Sequence, residues 1–200
     1  MDFNIQFITT NGTGTASAHK MLAQCFSRMG LDTGIKNLFP SNIQGMPTRY
    51  QIRVGNLGYT GRKKEIDLLV AIDHKNFFID LTSLKEGAFL VIDLATTKQQ
   101  DIDLLKTKNF SIIDVPLFAL ARENFSAAWV DFKLTNLLYI GALSKVIGVE
   151  EELVLQVVKE TYKKSPYLEQ DIKAIQVSRK YVETHCCWPI IDLPVSNEKN

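Results

Sequence analysis

Apolar residues along this chain alternate between two spacings, and the alternation sets the architecture. Residues 3–9 form an apolar, strand-like run. From Thr15 to Met29, Ala18, Met21, Leu22, Cys25, Phe26 and Met29 recur at intervals of three and four, which predicts an amphipathic helix with one stripe against a sheet. Gly30 supplies its left-handed stop. Strands are predicted over 34–39 and over 48–54, where Tyr50, Ile52 and Val54 alternate with Arg49, Gln51 and Arg53. The turn at 55–58 leads to residues 59–62 as a hairpin arm. Ile66 to Ile72 is nearly all apolar, as in a central parallel strand buried on both faces. A helix over 75–84 follows, then a buried strand over 88–93 started by Gly87, a weaker helix over 99–106, a strand over 110–115, and a short helix from Pro116 to Arg122.

Beyond residue 125 the pattern is helical. Val130 to Ile147 is apolar almost all round and predicts a buried helix. Glu150 to Tyr162 carries one apolar side, and Ser165-Pro166 opens a helix from Tyr167 to about Thr184. Residues 186–195 read as an extended segment, and 196–200 as a polar tail or linker. Alternating strands and helices define an α/β fold, a three-layer α/β/α domain with a mostly parallel sheet and a C-terminal helical segment. The organisation expected is one domain over 1–195, with the sheet region at 1–125 and the helical part at 126–185.

Composition narrows the function classes. A net charge of +1 gives no electrostatic reason to expect nucleic acid or an anionic membrane as partner. Arg62-Lys63-Lys64 is the basic cluster and reads first as a solvated turn. No signal peptide is visible, and no uncharged apolar stretch approaches the roughly 20 residues a bilayer requires. Three cysteines, two of them adjacent, fit a reducing, cytoplasmic setting. Without CxxC spacing they cannot ligate an iron–sulfur cluster, and His19, His74 and His185 show no metal-site spacing. Cys25 lies on the helix stripe as a packed thiol.

Candidate chemistry gathers at two turns. Thr9-Thr10-Asn11-Gly12-Thr13-Gly14-Thr15-Ala16-Ser17 stands between the first strand and the first helix, where free amides and the helix dipole favour an anion such as phosphate. Gly12, Thr13, Gly14 and Thr15 would offer backbone and hydroxyl donors. Phe39-Pro40-Ser41-Asn42-Ile43-Gln44-Gly45 follows the second strand and should rise beside the first turn, with Ser41, Asn42, Gln44 and Gly45 as polar contacts. Loop self-bonding through Asx- and Ser-type turns is the alternative for both. Arg49 and Arg53 share a strand face and could meet phosphate or a partner's carboxylate; plain solvent exposure is the alternative. Asp73 and Asp93 lie at strand ends, as caps or site residues. Phe39, Trp129 and Trp188 are interface-anchor candidates, with core burial the default for Phe39 and Trp129. The glycine turn lacks a third glycine, the second strand ends without an acid, and no P-loop lysine is present, so NAD, FAD and ATP in their usual modes are disfavoured.

Asn11 to Ser17, the stretch Lys36 to Val54, Asp67-Leu68-Leu69-Val70-Ala71, Asn136 with Gly141-Ala142-Leu143, and Lys164-Ser165-Pro166 to Ile175 together resemble the gamma domain of 2-oxoacid:ferredoxin (acceptor) oxidoreductases. The likeness is strongest to the amino-terminal domain of the 2-oxoglutarate:ferredoxin oxidoreductase alpha subunit, where gamma and alpha are fused. Phe39 to Gly45 is its most specific piece. The resemblance implies a Rossmann-like fold, like the third domain of the pyruvate enzyme. It implies a complex that converts a 2-oxoacid and coenzyme A into acyl-CoA and carbon dioxide while reducing an acceptor such as ferredoxin. Thiamine diphosphate and iron–sulfur clusters would lie on other subunits, with alpha, fused or separate, and beta as partners; a homodimer stays open. The gamma domain would help bind coenzyme A and build subunit contacts. Where many members carry Arg-Gly-Gly, Gln44-Gly45-Met46 stands here, removing a phosphate partner. No catalytic residue and no metal ligand are expected in this chain, which alone should be inactive. A ligand-free structural scaffold and a free-standing nucleotide-binding enzyme are the other readings.

Overall fold

A computed structural model describes residues 2–9, 15–38, 48–72, 77–126, 132–186 and 193. They fall into two compact units, one of Met1–Thr13 with Asp32–Pro116, the other of Gly14–Leu31 with Leu117–Asn200. The helix that follows the first strand therefore groups with the C-terminal helices, whereas its sequence position had placed it in the sheet region.

The first unit is a six-stranded sheet of β1 (Asp2–Thr9), β2 (Asp32–Leu38), β3 (Thr48–Gly55), β4 (Ile66–Ala71), β5 (Leu84–Ile92) and β6 (Ser111–Asp114), in the order β2-β3-β1-β4-β5-β6. Pairings β1–β4, β4–β5 and β5–β6 are parallel, while β3 runs against both of its neighbours, β1 and β2. The mostly parallel α/β sheet read from the sequence is thus present. Two stretches differ. The helix expected over 75–84 is a single turn, α1 being Thr15–Arg28 of the other unit and α2 only Phe78–Leu81. β5 begins at Leu84, because Ser83 and Leu84 are drawn alongside Ile66, whose N–H donates to the Ser83 carbonyl at 2.9 Å. The pairing then shifts register between Ile66 and Leu68, and Gly87, at φ 72°, absorbs the irregularity that periodicity reads as a strand start. Residues 59–62 form no hairpin strand. They belong to a loop laid across the sheet, held by side chains of β1 and β3.

The register puts Asn4, Gln6 and Ile8 of β1, Arg49, Gln51 and Arg53 of β3, and Asp67, Leu69 and Ala71 of β4 on one face. Across that face the character changes. On the β4–β5–β6 side, Ile8, Leu69, Leu90 and Ile92 pack with Phe77 and Leu81 around α2 and with Leu105 of α3 (Gln99–Lys106). On the β1–β3–β2 side the face is polar and hydrogen-bonded instead.

The second unit contains α1, α4 (Leu117–Asn124), α5 (Phe132–Val146), α6 (Glu151–Thr161) and α7 (Leu168–His185). The stripe on α1 is buried as its spacing predicts, and Gly30 (φ 80°) ends it with paired bonds from Gly30 to Ser27 and from Leu31 to Phe26. Helix α5 is buried on nearly every side from Leu134 to Leu143, as its composition requires. It crosses α7 closely enough that Arg179 donates to Ser144 Oγ at 2.8 Å. Lys133 of α5 meets Asp171 at 2.8 Å and lies over the Tyr162 ring at 4.3 Å. The thiol of Cys25 is buried and pushed up to about 12 by that burial, so it is a packing group rather than a nucleophile.

His19 of α1 lies beside Tyr139 with ring centroids 5.9 Å apart, and burial depresses its pKa from 6.5 to about 3. The folded state keeps this ring neutral while the unfolded chain protonates it below about pH 6.5. Stability is therefore full above that pH and falls as the pH drops toward 3, by up to about 1.4 kcal/mol per unit. Urea unfolding at pH 7 and pH 5 should differ by about 2 kcal/mol, and His19→Gln should flatten that difference. Equal stability at the two pH values would refute it.

Candidate functional site

Three strand termini meet at one end of the sheet. Thr9, the last residue of β1, pairs with Thr48, the first of β3, and Arg49 pairs with Ile8 on one side and Leu38 on the other. The chain leaves β1 at residue 10 and leaves β2 at residue 39 to return at residue 48, so both candidate turns depart from neighbouring positions. Gly12, Thr13, Gly14, Ser41, Asn42, Gln44 and Gly45 themselves lie outside the described residues, as do Phe39, Asp73, Trp129 and Trp188. Thr15 opens α1 and is buried, and it belongs to a different unit from Arg49.

Arg49 is neither bare nor solvent-facing. Its Nε donates to both carboxylate oxygens of Asp80, at 2.8 and 2.9 Å, and Gln6 Nε2 donates to Asp80 Oδ1 at 2.7 Å. Asp80 sits in the single turn of α2, where its own N–H donates to the Phe77 carbonyl at 2.9 Å. The result is a tethered cation beside the strand ends, with Asp80 and Gln6 as members that periodicity did not single out. The alternation in β3 identified the arginine, but nothing in the sequence pairs it with a carboxylate in a four-residue helix.

Arg53, the other arginine on that face, is also paired. It grips Asp2 through Nε at 2.6 Å and a terminal nitrogen at 2.9 Å, and Lys63 Nζ adds a third contact at 2.9 Å. The Arg53 guanidinium, seconded by Lys63, holds the Asp2 carboxyl down at about 2. These contacts anchor the 56–65 loop, and Gln51 completes the anchoring. Its amide donates to the Lys63 carbonyl at 2.8 Å and accepts from the Lys63 N–H at 3.2 Å. Asn4 donates to the carbonyls of Lys63 at 3.2 Å and Glu65 at 2.6 Å.

The loop and the α2 turn border a cleft of about 440 Å³ over the polar half of the sheet. Its floor is Gln6, Leu38, Arg49 and Gln51. Arg62 and Lys64 line it from the loop, and Asp80 and Ser83 from the α2 turn and the residues after it. The basic triplet is thus divided: Lys63 turns to Asp2, while Arg62 and Lys64, both exposed, flank the cleft. Toward the other edge of the sheet, Asp114 accepts from the Leu94 N–H at 2.9 Å, and the Asp93 carbonyl accepts from Thr97 Oγ1 at 2.8 Å, fixing the turn after β5. Among the described residues no group of three or more His, Cys, Asp or Glu could hold a metal ion, and no helix is long and apolar enough to cross a membrane.

Solved 2-oxoacid oxidoreductase structures share the overall fold of this chain. The 2-oxoglutarate:ferredoxin oxidoreductase from Magnetococcus marinus, solved with 2-oxoglutarate, coenzyme A and succinyl-CoA bound, superposes with a TM-score of 0.79 at 19% identity, over 97% of this chain and 33% of that one. The chain thus spans a third of that protein's length. The pyruvate oxidoreductase subunit PORC from Thermotoga maritima aligns with a TM-score of 0.72 at 19% identity, over 90% of this chain and 96% of that one. The gamma subunit of a keto/oxoacid ferredoxin oxidoreductase from Geobacter sulfurreducens gives 0.65 at 18% identity, over 91% and 99%. No curated protein matches significantly. The family model described as pyruvate ferredoxin/flavodoxin oxidoreductase matches residues 4–181, and the chain belongs to that family.

Proposed function

We propose that the chain is the gamma-type part of a cytoplasmic 2-oxoacid:ferredoxin (acceptor) oxidoreductase of the 2-oxoglutarate type. In this reading it contributes to coenzyme A binding and to subunit assembly while a 2-oxoacid is oxidatively decarboxylated to acyl-CoA. The observation that carries the reading is the family match across residues 4–181. It is supported by the neighbouring departure of the 10–14 and 39–47 segments from β1 and β2, where α/β ligand sites gather. A neighbour of the same fold binds coenzyme A. The organisation proposed is a single gamma-type domain over 1–195. Its ligand contacts come from Gly12, Thr13, Gly14, Thr15, Ser41, Asn42, Gln44, Gly45 and Arg49.

The redox cofactors belong elsewhere in this reading. Cys25 is buried with a thiol held protonated, and Cys186 stands in a different helix terminus, so the described thiols do not make a cluster ligand set. When bound on alpha and beta subunits, thiamine diphosphate would supply the electron sink for decarboxylation and the clusters would carry electrons to ferredoxin. This chain's part is to position the thiol carrier and to hold subunits together.

The Arg49–Asp80 pair favours a second reading, a scaffold without a ligand, because it occupies a cation otherwise suited to phosphate. Gly14→Ala separates the two. In the assembled complex it should weaken coenzyme A binding about tenfold, measured by calorimetry, while co-purification of the partner subunits is unchanged. Unchanged affinity would favour the scaffold, and failure of thiamine-binding and cluster-bearing subunits to co-purify with the wild-type chain would sink both.

A further inference from the structure

We infer that the cleft bordered by Arg62 and Lys64 is a binding site for a terminal phosphate dianion, and that in the assembled enzyme it takes the ribose phosphate of coenzyme A. This rests on the coenzyme A reading above and adds the part of the ligand that the cleft receives. Charge decides the assignment. Asp80 is already neutralised by Arg49 and further satisfied by Gln6, so the cleft carries an excess of positive charge from Arg62 and Lys64. Among the described residues neither of these two pairs with a carboxylate. A phosphate monoester is close to a dianion at neutral pH and matches two cations, whereas each phosphorus of a pyrophosphate diester carries a single charge, the kind that helix-terminal amides hold.

Geometry supports the same choice. The reciprocal bonds between Gln51 and the Lys63 main chain, with Lys63 Nζ drawn to Asp2, fix the middle of the triplet, so its two neighbours are presented at the cleft rather than left on a wandering loop. Ser83 also lines the cleft. The floor begins at Arg49 and Leu38, one residue from where β3 starts and at the last residue of β2, so the cleft opens beside the strand ends from which both candidate turns depart. The free volume of about 440 Å³ leaves room for a phosphate with part of its nucleoside.

The test compares coenzyme A with dephospho-coenzyme A, which lacks the ribose phosphate, by calorimetry on the assembled complex. Arg62→Gln with Lys64→Gln should weaken coenzyme A about 30-fold, as loss of two charge-assisted contacts implies, with little change for dephospho-coenzyme A. Both side chains are exposed, so melting should be unchanged, and the charge-keeping exchange R62K with K64R should restore most of the affinity. Unchanged coenzyme A affinity in the neutralised variant overturns the inference while leaving the coenzyme A reading intact. Equal weakening of both ligands also overturns it, assigning the cleft to the pyrophosphate. A wild-type complex that binds neither ligand removes the coenzyme A reading and this inference together.

Discussion

Gly141→Ala should lower the unfolding free energy by about 3 kcal/mol, among the largest single-residue effects in the molecule. A Cβ at this position of α5 would stand 2.2 Å from Ser178 Oγ, 2.5 Å from the Ile175 carbonyl oxygen and 2.8 Å from Ile175 Cα of α7. The hydroxyl could rotate, although it already donates to the carbonyls of Ala174 and Ile175. The Ile175 backbone cannot yield without moving the helix. Separating the helices would stretch the Arg179–Ser144 bond and open the buried surface between α5 and α7. Urea denaturation of the variant reads the loss directly. Adding Ser178→Ala should recover only a fraction, since the two backbone contacts remain. Near-wild-type stability of Gly141→Ala would mean that α5 and α7 do not approach this closely.

Gly34→Ala should cost about 2 kcal/mol and dislodge the 56–65 loop. The new methyl on β2 would meet the Thr60 carbonyl oxygen at 2.1 Å and its carbonyl carbon at 2.8 Å. The loop cannot lift as a whole, because Asp32 accepts from the Gly58 N–H at 2.9 Å and Gln51 holds Lys63. Local opening is therefore the cheaper response, and trypsin should cut at Arg62, Lys63 and Lys64 several-fold faster than in the wild type. If the loop also presents the phosphate-binding cations, coenzyme A affinity should fall in the same variant. Unaltered proteolysis would show that the loop does not rest on Gly34.

Much of this fold is legible from spacing alone. The stripe Ala18, Met21, Leu22, Cys25 and Phe26 and the all-round apolarity of α5 dictate burial whatever the partners are, and both are buried as expected. The six strands were also legible, because each carries several β-branched or aromatic residues between turn residues. Features decided by distant contacts were not. Helix α2 is one turn whose flank is captured by the pairing of Leu84 with Ile66, a contact no local pattern encodes. The 59–62 stretch looks like a hairpin arm, yet its neighbour Lys63 is held by side-chain amides of β1 and β3, which stand in for a backbone ladder. At the candidate site, the alternation of Arg49 and Arg53 with apolar residues marked the right face and suggested exposure. Their carboxylate partners, Asp80 and Asp2, lie 31 and 51 residues away in sequence, so only the folded register reveals them.

The position of β1 governs how this chain can be made. This strand lies inside the sheet, flanked by residues 48–55 on one side and 66–71 on the other. Until residues 48–55 and 66–71 are in place, Ile5, Phe7 and Ile8 have no ladder to join and leave an unsatisfied strand edge. Closure of the sheet around that strand therefore awaits long-range pairing, and aggregates formed during refolding should be seeded by β1 rather than by the locally folding helices.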